Sequence, residues 1–142
     1  MPDVFVSLAQ DHRDVEQQFE RYGDSPDDAV AREIGETLTV HSEVEEHVLY
    51  PEIRRLVDGG DDLVDDAQAE HAAIATLIAR LYDAPPPDLR PLIKELQQQV
   101  SRHIASEESE LFPLLRDSGA DAEALGARAE LVRAEASSRS SG

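Results

Sequence analysis

His41-Ser-Glu-Val-Glu45-Glu-His-Val-Leu-Tyr50-Pro51 and His103-Ile-Ala-Ser-Glu107-Glu-Ser-Glu-Leu-Phe112-Pro113 are two versions of one sentence. Each places a histidine four residues before a glutamate and ten before a proline. On a helix, residues four apart differ by about 40° in azimuth and roughly 6 Å in height, so each His–Glu pair projects from one face. That face is apolar. Val30, Ile34, Leu38, Val48 or Leu49 and Ile53 continue the stripe through His41 and Glu45, while Leu92, Leu96, Val100 and Leu111 continue it through His103 and Glu107.

Working outward, a second pattern repeats at a period of roughly sixty residues. His12 is followed nine positions on by Arg21, twelve on by Asp24 and fourteen on by Pro26; His71 is followed at the same offsets by Arg80, Asp83 and Pro85. His12 falls in the stripe Val4, Leu8, Val15, Phe19, Tyr22, and His71 in Leu63, Ala67, Ile74, Ile78, Leu81. Each half of the chain thus supplies one lone His and one HxxxE pair. Short stretches rich in Gly, Pro and Asp separate four helical segments. Ser25-Pro26-Asp27-Asp28 reads as a cap and first turn, Gly59-Gly60-Asp61-Asp62 as a stop and a start, and Asp88 after Pro85-Pro86-Pro87 as another cap. No strand pattern competes. The expected architecture is all-α, an up-down-up-down antiparallel four-helix bundle over residues 1–118. Residues 119–142 are expected to add a short helix, about Asp121–Ala136, and a disordered tail, SSRSSG. The prolines at 51 and 113 are expected to bend their helices.

All six residues, His12, His41, Glu45, His71, His103 and Glu107, stand where the period calls for Leu or Ile. A buried carboxylate without a partner costs several kcal/mol, so something positive must lie between the two glutamates. A single interior His is usually a hydrogen-bonded core residue; four, one from each helix and at similar depth, point to metal. Four imidazoles and two carboxylates suit iron or manganese, with zinc also admissible. None of the five histidines has Glu three residues before it, so the ExxH pairs of ferritin-like carboxylate proteins are absent, as is the HExxH of zinc proteases. His47, six residues after His41, falls about 240° around the helix and belongs to the surface. Asp11 and Glu70 point away from the histidines that follow them but can support a ligand on an adjacent helix. Tyr50 and Phe112 read first as core aromatics, although an inward Tyr50 could reach the metals.

Composition narrows the chemistry further. The 142 residues include no cysteine, which removes disulfides, zinc–thiolate sites, iron–sulfur ligation and thiolate catalysis, and Met1 carries the only sulfur. A net charge of −18 repels phosphate backbones and anionic headgroups. Nucleic acid and membrane are therefore not expected as partners, and the N-terminus signals neither secretion nor insertion. A cytoplasmic protein, monomeric or weakly dimeric, is the expectation.

The paired HxxxE motifs, each followed by Glu, then Leu, an aromatic and Pro, together with lone His12 and His71, resemble the hemerythrin and HHE cation-binding family over about residues 3–117. That resemblance implies a four-helix bundle around two non-haem iron ions bridged by oxo or hydroxo, with Glu45 and Glu107 bridging the metals and His12, His41, His71 and His103 as terminal ligands. The chain departs from the oxygen carriers on the third helix, where Ala67 and Ala75 flank His71 at the positions four away from which a second His would come. With one imidazole fewer, about two of the roughly twelve positions on two irons stay open. The implied function is reaction with hydrogen peroxide, by catalase-like dismutation or related redox defence. The alternative is a module that binds, stores or senses oxygen or iron without turnover, with oxygen, peroxide or nitric oxide as ligand.

Overall fold

The computed structural model describes residues 3–141, all helical apart from turns among the described residues. Helix α1 spans Val4–Asp24, capped by the Asp3 carboxylate, which accepts from the backbone N–H of Phe5 and Val6. Helix α2, Asp28–Val44, runs through a π-helical turn, Glu45–Leu49, into α3, Tyr50–Leu56. Helix α4 is Gly60–Asp83; α5, Pro86–Ser106, continues through a second π turn, Glu107–Leu111, into α6, Phe112–Asp117; α7 is Ala122–Ser141.

Three caps differ from the expectation in register. Asp27, not Ser25, caps α2 by accepting from the Ala29 N–H at 2.7 Å, and Ser25 instead closes α1. Gly59, at φ 74°, precedes α4, a left-handed conformation in which glycine bears no Cβ penalty; Asp61 and Asp62 then lie in the first turn. Helix α5 begins at Pro86, before Asp88, because prolines lose nothing in a first turn whose N–H groups have no helical partner.

The largest departure is at the C-terminus. The fifth helix is 20 residues long and runs to Ser141, through most of the segment expected to be a disordered tail; Gly142 lies outside the described residues. Contacts that the sequence does not reveal hold it. Leu125, Ala129 and Ala136 are buried, and Arg139 pairs with Glu43 of α2. Helix α7 packs on α1 and α2, α1 on α2, and α4 on α2, α3 and α5. None of the described helices is long and apolar enough to cross a membrane.

Two apolar clusters fill the bundle. One gathers Leu8, Val44, Leu49, Ile53, Val64, Leu111, Leu115 and their neighbours; the other gathers Val15, Phe19, Ile34, Leu38, Ile74, Leu96, Val100 and theirs. Along α1, α4 and the continuous α2–α3 and α5–α6 segments the buried polar residues fall where the first cluster gives way to the second, so a polar layer separates two apolar ones.

Candidate metal centre

That layer contains His12, His41, Glu45, His71, His103 and Glu107, all buried, with both glutamates at 0% exposure. The structure thus brings together all six residues singled out from the sequence, and leaves His47 exposed. The six form two groups of four: His12 and His41, or His71 and His103, each with Glu45 and Glu107, with candidate ligand atoms inside a group within 4.8 Å of one another.

Each imidazole presents Nε2 to the interior. Glu45 Oε1 lies 2.9 Å from His71 Nε2 and 3.4 Å from His103 Nε2, and its Oε2 lies 3.2 Å from His41 Nε2. Glu107 Oε1 is 3.2 Å from His12 Nε2 and its Oε2 3.2 Å from His103 Nε2. The Nδ1 atoms face other carboxylates: Asp11 at 2.9 Å from His41, Glu70 at 2.7 Å from His103, Glu108 at 2.6 Å from His12, and Glu46 at 3.5 Å from His71. Because an ionised carboxylate can only accept, the three close contacts place the proton on Nδ1 and turn the Nε2 lone pair inward. Asp11 and Glu70 thus support a histidine on a neighbouring helix. Glu46 and Glu108 follow the two HxxxE pairs at equivalent places, and that repetition is the only sign of their role in the sequence.

Lone pairs turned inward need a cation. His12 Nε2 and His41 Nε2 are 3.2 Å apart, and His71 Nε2 and His103 Nε2 are 3.0 Å apart. Glu45 Oε2 and Glu107 Oε1 are close to imidazole nitrogens but aligned in no hydrogen bond. Without metal, protons do part of this neutralising. Burial alone would lower the pKa of His41, yet the charge of Glu45 and the hydrogen bonds of Asp11 and Glu45 override it and push it up to about 10. At His103 burial is likewise overridden, chiefly by the hydrogen bond and charge of Glu107, to about 12. Burial works against the Glu45 carboxylate too, but the His41 charge holds it well below the usual carboxylate range. The nitrogen and oxygen donor set, dry and convergent, fits two metal ions sharing the glutamates.

The π turns set the remaining geometry. Each closes with an N–H to the carbonyl five residues back, Tyr50 to Glu45 and Phe112 to Glu107, so residues five apart stack on one face. At Pro51 and Pro113, where bends are expected, the structure has a widened turn ending just before each proline, which has no N–H to donate. Tyr50 is thereby carried into the site, against its first reading as a core aromatic. Its hydroxyl donates to Glu107 Oε2 at 3.0 Å and lies 3.0 Å from His71 Nε2 and 3.4 Å from Glu45 Oε1. Burial and the charges of Glu45 and Glu107 raise its pKa far above the ordinary phenol, so it stays protonated. Phe112, its counterpart, stacks nearly parallel on His12 with ring centroids 5.9 Å apart.

Beside the histidines is a void of about 10 Å³ walled by Val15, Leu38, Ile74, Val100 and Ile104. At that volume it is barely large enough for one water.

Among characterised proteins, a DNA nickase from Nostoc sp. (strain PCC 7120) is 29% identical over 116 residues, which cover 78% of this chain and 32% of that protein. The chain therefore spans about a third of the length of that relative. No solved structure matches it significantly. The hemerythrin HHE cation-binding domain model matches residues 4–115, from the first turn of α1 into α6 and including all six clustered residues. With that match and the His/Glu cluster, the chain belongs to the hemerythrin HHE cation-binding domain family.

Proposed function

We propose that the site holds two iron ions, bridged by Glu45 and Glu107, with His12 and His41 on one and His71 and His103 on the other, and that the protein dismutates hydrogen peroxide. The observation that carries the two-ion reading is the pair of four-donor groups sharing both glutamates. Manganese and zinc suit the same donors less specifically. The helices are taken to alternate up and down, since connections of two or three residues, 25–27, 57–59 and 84–85, favour antiparallel neighbours.

Bound iron supplies Lewis acidity and the two-electron redox capacity that converts two peroxides into two waters and dioxygen. The chain's residues do the rest. Asp11, Glu70 and Glu108 fix the imidazole orientation, as carboxylates behind metal-bound histidines do. The apolar void restricts the reactant to a few atoms and keeps bulk water away. Tyr50 keeps its proton at a hydroxyl between Glu107 and His71, from which it can offer a hydrogen bond to an incoming oxygen.

The same enclosure supports a second reading, in which oxygen or nitric oxide binds without turnover, for transport, storage or sensing. Strand nicking, suggested by the name of the relative, is not carried over, because a net charge of −18 opposes a phosphate backbone. Oxygen evolution from peroxide by iron-loaded protein, with Glu45→Ala and His71→Ala controlling for adventitious iron, tests the proposal. Evolution well above both variants supports it. None above them, with reversible oxygen uptake by the reduced protein, transfers the assignment to the binding module.

A further inference from the structure

The six central residues repeat almost symmetrically, but what stands behind them does not. On the His12–His41 side both supporting carboxylates are engaged by arginine: Arg133 Nη2 lies 2.7 Å from Asp11 Oδ2, the same oxygen that accepts from His41 Nδ1, and Arg13 Nη2 lies 2.9 Å from Glu108 Oε2. On the His71–His103 side, Glu70 and Glu46 have no arginine partner among the described residues. Helix α7 supplies Arg133, beyond the residues that match the family. Its guanidinium is also held by Glu130 at 2.7 Å and Ser7 Oγ at 3.2 Å, which fixes the fork in place. Side-chain exposure is 23% for Arg133 and 19% for Asp11, but 48% for Arg13, so Arg133 is the less screened of the two arginines.

A carboxylate behind an imidazole makes its Nε2 a stronger donor to metal. A cation on that carboxylate withdraws the effect and also repels a second cation directly. Tyr50 adds to the asymmetry, since its hydroxyl oxygen stands 3.0 Å from His71 Nε2, whereas Phe112 offers His12 only a ring face.

From these contacts we propose that the two cation positions are inequivalent and fill in order, His71–His103 first, with Arg133 of α7 as the positioning residue that holds the His12–His41 position weaker. This rests on the two-ion reading above. The test is a titration of the metal-stripped 142-residue chain with Co²⁺, followed by isothermal titration calorimetry and visible absorption. Two resolved steps are expected. Arg133→Gln should tighten the weaker step roughly tenfold and leave the tighter one in place, while Arg133→Lys, which keeps the charge, should stay close to the parent. Glu70→Gln should weaken the tighter step by roughly 10- to 100-fold, and its partly exposed position keeps folding out of the result. Two ions in steps that Arg133→Gln does not move, or Glu70→Gln acting on the weaker step, overturn the ordering alone. Binding of no more than one Co²⁺ at saturation overturns the two-ion reading, and the ordering with it.

Discussion

Replacing Glu45 with alanine should remove both metal ions at once. Glu45 is fully buried, belongs to both four-donor groups, and touches three of the four histidines, at 2.9 Å from His71, 3.2 Å from His41 and 3.4 Å from His103. Without it a single carboxylate, Glu107, faces two dications, and their mutual repulsion is no longer offset. Each bound ion stabilises the fold by about 2.7 kcal/mol at a free concentration about a hundred times its Kd. Two ions contribute about 5 kcal/mol, which at roughly 4 °C per kcal/mol for a chain of this size raises Tm by about 20 °C. The parent should show that rise on metal addition, measured by circular dichroism and accompanied by metal analysis. Glu45→Ala, and Glu45→Gln, which keeps the volume, should show little rise and no bound metal, and His47→Ala should behave as the parent. Retention of one full ion in either Glu45 variant would show that the two ions do not share Glu45, and loss of metal in His47→Ala would place a ligand outside the cluster.

Three further outcomes follow from the geometry. Tyr50→Phe should destabilise the metal-free protein by about 1–2 kcal/mol in denaturant melts, through loss of the hydroxyl that donates to Glu107; no change would mean that the bond contributes nothing. The metal-free protein should be most stable between about pH 4.5 and 6.5. Its raised His41 and His103 give a contribution that is fully present below their ordinary 6.5 and lost as pH climbs through about 10 and 12, while the lowered Glu45 gives one that is lost as pH falls below 4.5. A Tm that stays level to pH 10 in chelator would contradict this. Gly60→Ala should destabilise by about 2 kcal/mol or more, because its Cβ would sit 2.2 Å from the Ile53 carbonyl oxygen, whereas Gly23→Ala, with open space around it, should gain up to about 1 kcal/mol in thermal melts.

Periodicity made most of this legible. Most of the stripe residues are buried in the structure, although at Val30, Leu63 and Leu92 the deeper place belongs to the next residue, Ala31, Val64 or Ile93, and the polar interruptions in those stripes are the site. What periodicity could not show is anything that changes the period. A π turn inserts one residue into a helix, so Tyr50, which a 3.6-residue repeat turns away from Glu45, comes round to face it. The only sign in the sequence is a proline inside an otherwise continuous helix. Supporting contacts are equally hidden, because Glu108 reaches His12 from 96 residues away and Arg133 reaches Asp11 from 122. The full extent of helix α7 is hidden for the same reason: its last residues have little apolar content of their own and are held by Ala136 and by the Arg139–Glu43 pair, which only packing reveals.

Anomalous diffraction from crystals grown with iron will show whether two cations bind between Glu45 and Glu107. Two peaks per chain are expected, one beside His12 and His41 and one beside His71 and His103, each within bonding distance of both glutamates. A single peak, or two peaks of which one lies outside this cluster, would exclude the paired site.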